Sequence, residues 1–225
     1  MLLTWENVTL GAPAVLEGVN LVLRRGLWGV AGLGKTTLLR CGAALTRPHR
    51  GRLLFDGDDI WDDPVAYRWR VGYVPQDAEE LPPVGAVQYL EYLGALKGIR
   101  PQYQRSRASQ MLAYFALPDR SLATYSAGMK RRIAVATALL NDPDILLLDD
   151  PITGLDPEER INLLNCLTQL ADERIILLAT SLPEEADGAV QGWVMLRSKG
   201  AHLHADSYRS SFQDVSRPGH SSGRC

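Results

Sequence analysis

The sequence predicts an α/β protein with a mostly parallel sheet flanked by helices. Short strand-like runs alternate with helical patterns along its 225 residues, and this alternation is typical of such a sheet. The last two of these runs are apolar throughout, which indicates strands that are covered on both faces. The predicted strands are Leu21–Leu23, Leu53–Phe55, Val71–Val74, Ile145–Leu148 and Ile175–Ala179.

Composition excludes several classes of protein. The chain is 46% hydrophobic and 22% charged with a formal net charge of −2, so no nucleic-acid partner is expected. Its three cysteines lie at no metal-like or disulfide-like spacing, which fits the cytoplasm. The start of the chain lacks the pattern of a signal peptide, and the longest apolar runs fall well short of the roughly 20 residues that span a bilayer. Any position at the inner face of the cell membrane would therefore depend on a membrane partner.

Residues 77–135 are predicted to form a mainly helical insert. The segment Val84–Leu96 has apolar residues at helical spacing. A second segment places Ala108, Met111, Leu112 and Phe115 at positions i, i+3, i+4 and i+7, so it is expected to bury one face.

Two further helices begin at residues suited to cap them. Ser126 is expected to cap a helix with one apolar face, and the basic run Lys130–Arg132 is expected to be mostly a solvated face. Asp156 caps the next helix, with Pro157 in its first turn. The chain then closes in a hairpin that turns at 199–200, followed by a tail, 207–225, that we predict to be disordered.

A glycine-rich segment matches a phosphate-binding loop. It satisfies the pattern G-x4-G-K-S/T from Gly29 to Thr36 and leads into a helical pattern. Glycines let the backbone curl so that its N–H groups point at phosphate oxygens. A glycine-rich turn with a chance lysine is the alternative. The candidate nucleotide-binding residues are Gly29, Val30, Ala31, Gly32, Leu33, Gly34, Lys35, Thr36 and Thr37.

An apolar strand ends in two carboxylates, Asp149 and Asp150. In enzymes with a phosphate loop, an aspartate at this place orders Mg²⁺. A buried strand with a solvated acidic end is the alternative if the motif stands alone.

Further segments in a fixed order resemble those of ATP-binding-cassette (ABC) ATPases. Tyr125–Lys130 resembles the signature motif, Thr153–Pro157 the D-loop, Gly72–Gln76 the Q-loop and Leu16–Leu21 the entry strand. The resemblance covers about residues 2–206. It implies one domain, 1–206, with a P-loop NTPase core in 1–76 and 136–206, an antiparallel β part at its start, and a helical subdomain in 77–135 that carries the signature.

The resemblance also implies a head-to-tail dimer, in which each ATP lies between the phosphate loop of one subunit and the signature of the other. Ser126, Gly128 and Asp156 would then contact ATP of the partner, while Thr36, Gln76 and Asp149 would hold Mg²⁺. Asp150, Ser181 and Gln76 stand at the positions of the family's catalytic groups.

Four positions depart from the family pattern. Asp150 replaces the glutamate that polarises water and Ser181 replaces the histidine that contacts the γ-phosphate. Leu10 stands about where the family usually has an aromatic residue that stacks on adenine, and Ala127 replaces the first signature glycine. Because a misplacement of about 1 Å can cost on the order of 10²-fold in rate, slow or partner-dependent hydrolysis is expected.

The resemblance implies an ATP-binding subunit that drives a separate integral membrane transporter subunit, in the manner of an exporter. It would act either as a heterodimer with a cassette that has the intact glutamate and histidine, or as a homodimer that hydrolyses ATP slowly. A non-hydrolysing ATP-sensing module and a soluble ABC ATPase without a membrane partner are the alternatives.

Overall fold

The computed structural model describes residues 1–11, 13–76, 81–198 and 201–204, and the predicted turn at 199–200 and tail at 207–225 lie outside this part of the chain. The described strands are β1 (Leu2–Leu10), β2 (Leu16–Arg24), β3 (Gly26–Gly32), β4 (Arg50–Phe55), β5 (Asp58–Asp59), β6 (Val71–Val74), β7 (Ile145–Asp149), β8 (Ile175–Ala179), β9 (Gly192–Leu196) and β10 (Ala201–His204). The described α-helices are α1 (Lys35–Gly42), α2 (Pro64–Trp69), α3 (Ala86–Leu96), α4 (Pro101–Tyr114), α5 (Ala127–Ala138), α6 (Pro157–Leu170) and α7 (Pro183–Ala186).

The strands form two sheets. One has the order β2-β1-β4-β5, and its pairs are antiparallel. The other has the order β10-β9-β3-β8-β7-β6, and its pairs are parallel except that of β10 with β9. The predicted fold class, with its antiparallel part at the start of the chain, is confirmed.

The central strands β7 and β8 are buried along their whole length. Successive side chains point to opposite faces of a strand, so the two faces build two cores. Leu147 and Leu177 lie in a core with Leu38 and Leu39 of α1. Leu146 and Ile176 lie in the other, with residues of α5 and α6. This double cover explains why both strands are apolar throughout.

The connection from β6 to β7 carries α3, α4, a short 3-10 helix (Leu122–Thr124) and α5. Ala108, Met111, Leu112 and Phe115 are all buried, as their spacing predicts, although Phe115 is the residue that follows the last turn of α4. Helix α5 continues to Ala138, so it crosses the subdomain boundary that the sequence suggested at 135/136.

Candidate functional site

The carboxyl ends of three neighbouring strands bring together most of the residues predicted to act on ATP. Strand β8 lies between β3 and β7, and all three run parallel. Lys35 follows β3, Asp149 ends β7 and Ser181 follows β8. Ligands of open α/β sheets bind outside this edge, so it is the place to look for a site.

The connection from β3 to α1 differs from the expected loop. Four residues predicted to curl around phosphates, from Gly29 to Gly32, lie in β3, where they pair with Trp193, Val194, Met195 and Leu196 of β9. Only Leu33 and Gly34 connect the strand to the helix, which begins at Lys35. Strand β3 thus includes the first four residues of the motif, and the assignment of residues 29–36 to nucleotide binding stays a prediction.

The two paired glycines are needed by the sheet. A Cβ at Gly29 would overlap the indole of Trp193, and a Cβ at Gly32 would overlap the backbone carbonyl of Leu196. Gly32 also has a φ of 99°, a conformation that L side chains rarely adopt. The same glycines that suggest a phosphate loop in the sequence thus serve the close approach of strands.

The polar residues at the start of α1 differ in their contacts and in their exposure. Lys35 Nζ donates to the carbonyl oxygen of Gly32 at 3.3 Å, which folds the lysine back over the turn. Thr36 is exposed, and Thr37 is partly exposed.

Asp150 is held by hydrogen bonds from its own chain. It is buried and has a φ of 54°. Thr153 Oγ1 donates to its Oδ1 at 2.6 Å, and Ser181 Oγ donates to its Oδ2 at 2.9 Å. The backbone N–H of Ser181 also donates to Oδ1 at 3.3 Å. The carboxylate therefore ties the D-loop segment to the end of β8.

Asp149 is 2% exposed. Burial raises the pKa of the neighbouring Tyr73 hydroxyl, and the Asp149 carboxylate raises it further. Among the residues that the structure describes, no group of three or more histidine, cysteine, aspartate or glutamate side chains is placed to hold a metal ion.

Gln76 is exposed two residues after β6, and its backbone is anchored by a residue of α5. Arg131 Nη1 donates to the carbonyl oxygen of Gln76 at 2.7 Å. Arg131 is only 8% exposed, and Arg132 Nη1 donates to the carbonyl oxygen of Phe115 at 3.0 Å. The expectation of a mostly solvated basic face was thus wrong, because two of its three residues satisfy backbone carbonyls.

Replacing Arg131 with methionine is expected to lower the free energy of unfolding by about 1.5–3 kcal/mol, since a hydrogen bond from a charged donor is lost in a buried place. Urea denaturation measures this change. Lys130→Met, at the partly exposed neighbouring residue, is the matched control. Equal effects of the two substitutions would contradict a specific role for Arg131.

The signature segment, residues 125–130, lies at the start of α5 and beside α6. Ser126 caps α5, as predicted, by accepting from the N–H of Met129 at 3.2 Å, and its Oγ donates to Glu159 at 3.2 Å. Asp156 caps α6 by accepting from the N–H of Glu159 at 2.8 Å. A Cβ at Gly128 would overlap the Glu159 carboxylate. A carboxylate therefore already covers the start of α5.

Three residues contribute contacts that the sequence analysis did not predict: Arg131, Thr153 and Glu159. Thr153 lies in the D-loop segment and Glu159 stands close to it, but only tertiary contacts reveal their roles. Leu10, by contrast, is fully buried in the core, so its side chain offers no surface to a base.

No helix within the described ranges is long and apolar enough to cross a bilayer.

Comparison with known proteins gives matches over most of the chain. A family model described as ABC transporter matches residues 18–153. The daunorubicin resistance ATP-binding protein DrrA3 of Streptomyces coeruleorubidus is 36% identical over 185 residues, which cover 79% of this chain and 58% of that protein. The Nod factor export ATP-binding protein I of Cupriavidus pinatubonensis is 37% identical over 185 residues, with 79% and 57% covered. The chain thus spans less than two thirds of the length of these relatives.

Solved structures share the fold. The cbiO1 protein from Clostridium perfringens, part of the ABC transporter complex cbiONQ, has a TM-score of 0.83 and 23% identity over 95% of this chain and 92% of its own. The ATP-binding cassette MJ0796, in a dimeric post-hydrolysis state bound to ADP and Pi, has a TM-score of 0.76 and 24% identity over 90% and 98%. At these identities the likeness supports the fold alone.

Proposed function

The chain belongs to the ABC transporter family, and from this premise we propose that it is the cassette subunit of an exporter-type transporter, acting on a separate integral membrane subunit. Relatives named for drug resistance and for Nod factor export support the exporter type. The observation that carries the proposal is the pairing of two separate features in one chain: the strand edge with Lys35 and Asp149, and the Ser126-capped start of α5 in the helical insert.

We further propose that the cassette works head to tail with a second cassette. In that arrangement Ser126, Gly128 and Asp156 face a nucleotide that the partner holds. The exposure of Ser126 and Ala127 supports this role, because a helix N-terminus favours negative charge. The Glu159 carboxylate would have to move aside when a phosphate group arrives.

ATP and Mg²⁺ are the groups that the family implies. The hydroxyl of Thr36, the amide of Gln76 and the carboxylate of Asp149 are suitable oxygen ligands for Mg²⁺. The run 29–36 has the spacing G-x4-G-K-T, so its backbone N–H groups and the ammonium of Lys35 would hold the phosphates of ATP.

We propose that hydrolysis of ATP at the carboxyl ends of this chain's own parallel strands is absent or slow. Asp150 is shorter than the glutamate usual in the family, and its oxygens already accept hydrogen bonds from Thr153 and Ser181. Ser181 has neither the length nor the ring of a histidine. Turnover of ATP would then depend on the partner cassette.

Purification of the tagged chain from its native membranes in mild detergent tests this function. We expect an integral membrane protein and a second cassette to co-purify in fixed ratio, and an untagged strain to yield neither. Recovery of the chain in the soluble fraction, with no membrane protein bound to it, would contradict the transporter role.

A further inference from the structure

We propose that Glu159 is a built-in competitor for phosphate: in the unpaired cassette its carboxylate occupies the place at the start of α5 where the nucleotide of the partner cassette would arrive. This role rests on the proposed head-to-tail arrangement. It adds the group that keeps the signature segment, residues 125–130, closed until a nucleotide displaces it.

The first support is the contact between Glu159 and the start of α5. Ser126 Oγ donates to Glu159 Oε1 at 3.2 Å, and a Cβ at Gly128 would overlap both carboxylate oxygens. The absence of a side chain at Gly128 therefore lets the carboxylate rest directly on the helix backbone. The first N–H groups of a helix have no intrahelical partner and carry partial positive charge. A carboxylate at this place thus takes the position that suits a phosphate group.

The second support is that Glu159 itself lies in the first turn of α6. Its backbone N–H donates to Asp156 Oδ1 at 2.8 Å, so the cap of α6 fixes the backbone of this residue. The carboxylate is close to the starts of two helices, and both favour negative charge. A change of side-chain torsions alone can move it away from α5, and it then still has the favourable field of α6. The contact is therefore stable in the unpaired chain, yet it opens without movement of the backbone.

The third support is the pattern of exposure at the start of α5. Ser126 and Ala127 are exposed, whereas Glu159 is partly exposed and Gly128 is buried against its carboxylate. A phosphate group can therefore approach the first residues of the helix, but it meets the carboxylate before it reaches the N–H of Gly128. Two negative groups at one helix start repel each other, so phosphate and the Glu159 carboxylate exclude each other there.

This competition would make the signature segment respond to a nucleotide that a partner cassette delivers. A phosphate group held by the phosphate loop of the partner has a high effective concentration at the start of α5 once the two cassettes meet. Free phosphate in solution lacks this advantage, and the Glu159 carboxylate would keep it out.

Titration of the full chain with inorganic phosphate tests the competition in the absence of the partner. The backbone N–H resonance of Gly128, followed by NMR in ¹⁵N-labelled protein, reports on the start of α5. Each protein carries Lys35→Ala to weaken binding at its own phosphate loop. This reference is compared with added Glu159→Gln, Glu159→Ala or Glu158→Gln. Glu158 is the matched control, because it is exposed in the same turn of α6 and carries the same charge.

We expect Glu159→Gln and Glu159→Ala to lower the phosphate concentration at half-saturation by about 10-fold or more, because a charged acceptor and a like charge are removed from the site. Glu158→Gln should lower it by about 2-fold at most, since salt screens exposed charges. Circular dichroism checks that the variants fold, and Glu159→Gln, of nearly equal size, gives the result even if Glu159→Ala unfolds.

Half-saturation at the same phosphate concentration in the reference and in the Glu159 variants would overturn the proposal. A Gly128 resonance that phosphate shifts in none of the proteins would also overturn it, and so would an equal effect of Glu158→Gln and Glu159→Gln. These outcomes are separate from the test of the transporter role, which depends on whether an integral membrane protein co-purifies with the chain.

Discussion

Replacing Gly32 with alanine is expected to lower the free energy of unfolding by about 3 kcal/mol or more, because it combines an unfavourable φ with overlap in a packed sheet. The overlap is with the carbonyl oxygen of Leu196, which belongs to the backbone of β9 and has little freedom to move. Urea denaturation followed by circular dichroism measures the change.

Gly154 provides the matched control for this substitution. It also has a positive φ, 79°, but a Cβ there would meet no atom within 4 Å. Gly154→Ala should therefore cost only about 1–2 kcal/mol of backbone strain. Similar losses at the two positions would mean that Gly32 lies in an open loop rather than in a paired strand.

Restoring the catalytic side chains that are usual in the family is expected to raise ATP turnover. Asp150→Glu together with Ser181→His should raise it by about 10²-fold or more, the usual scale of a positioned acid or base. Adding Lys35→Ala to this variant should remove the gain.

Phosphate release by the purified proteins measures this dependence. The unaltered chain and its Lys35→Ala form are the controls. A turnover that Asp150→Glu and Ser181→His leave unchanged would contradict the view that these two positions limit hydrolysis.

Much of the fold follows from local patterns. The apolar runs 145–148 and 175–179 predicted the central strands because a strand covered on both faces has no polar side chains. Ser126 and Asp156 predicted helix starts because their oxygens accept backbone N–H groups within the same turn. Such contacts need only a few consecutive residues, so a sequence contains them in full.

The candidate site was harder to predict because its decisive contacts join distant residues. Gly29 and Gly32 fit a phosphate loop and also permit the close approach of β9, a strand that begins at Gly192. Arg131 is buried because of the carbonyl group of Gln76, 55 residues earlier. Residue type and spacing indicated residues that lie at one edge of the parallel sheet, but could not determine where β3 ends.

The phosphate-loop residues also bear on how the protein remains folded in a cell. A protein that binds a ligand at 100 times its dissociation constant gains about 2.7 kcal/mol of stability from it. A cassette that holds ATP adds this gain to the stability that the two cores on either side of the central sheet supply. Its lifetime should therefore rise with the energy charge of the cell.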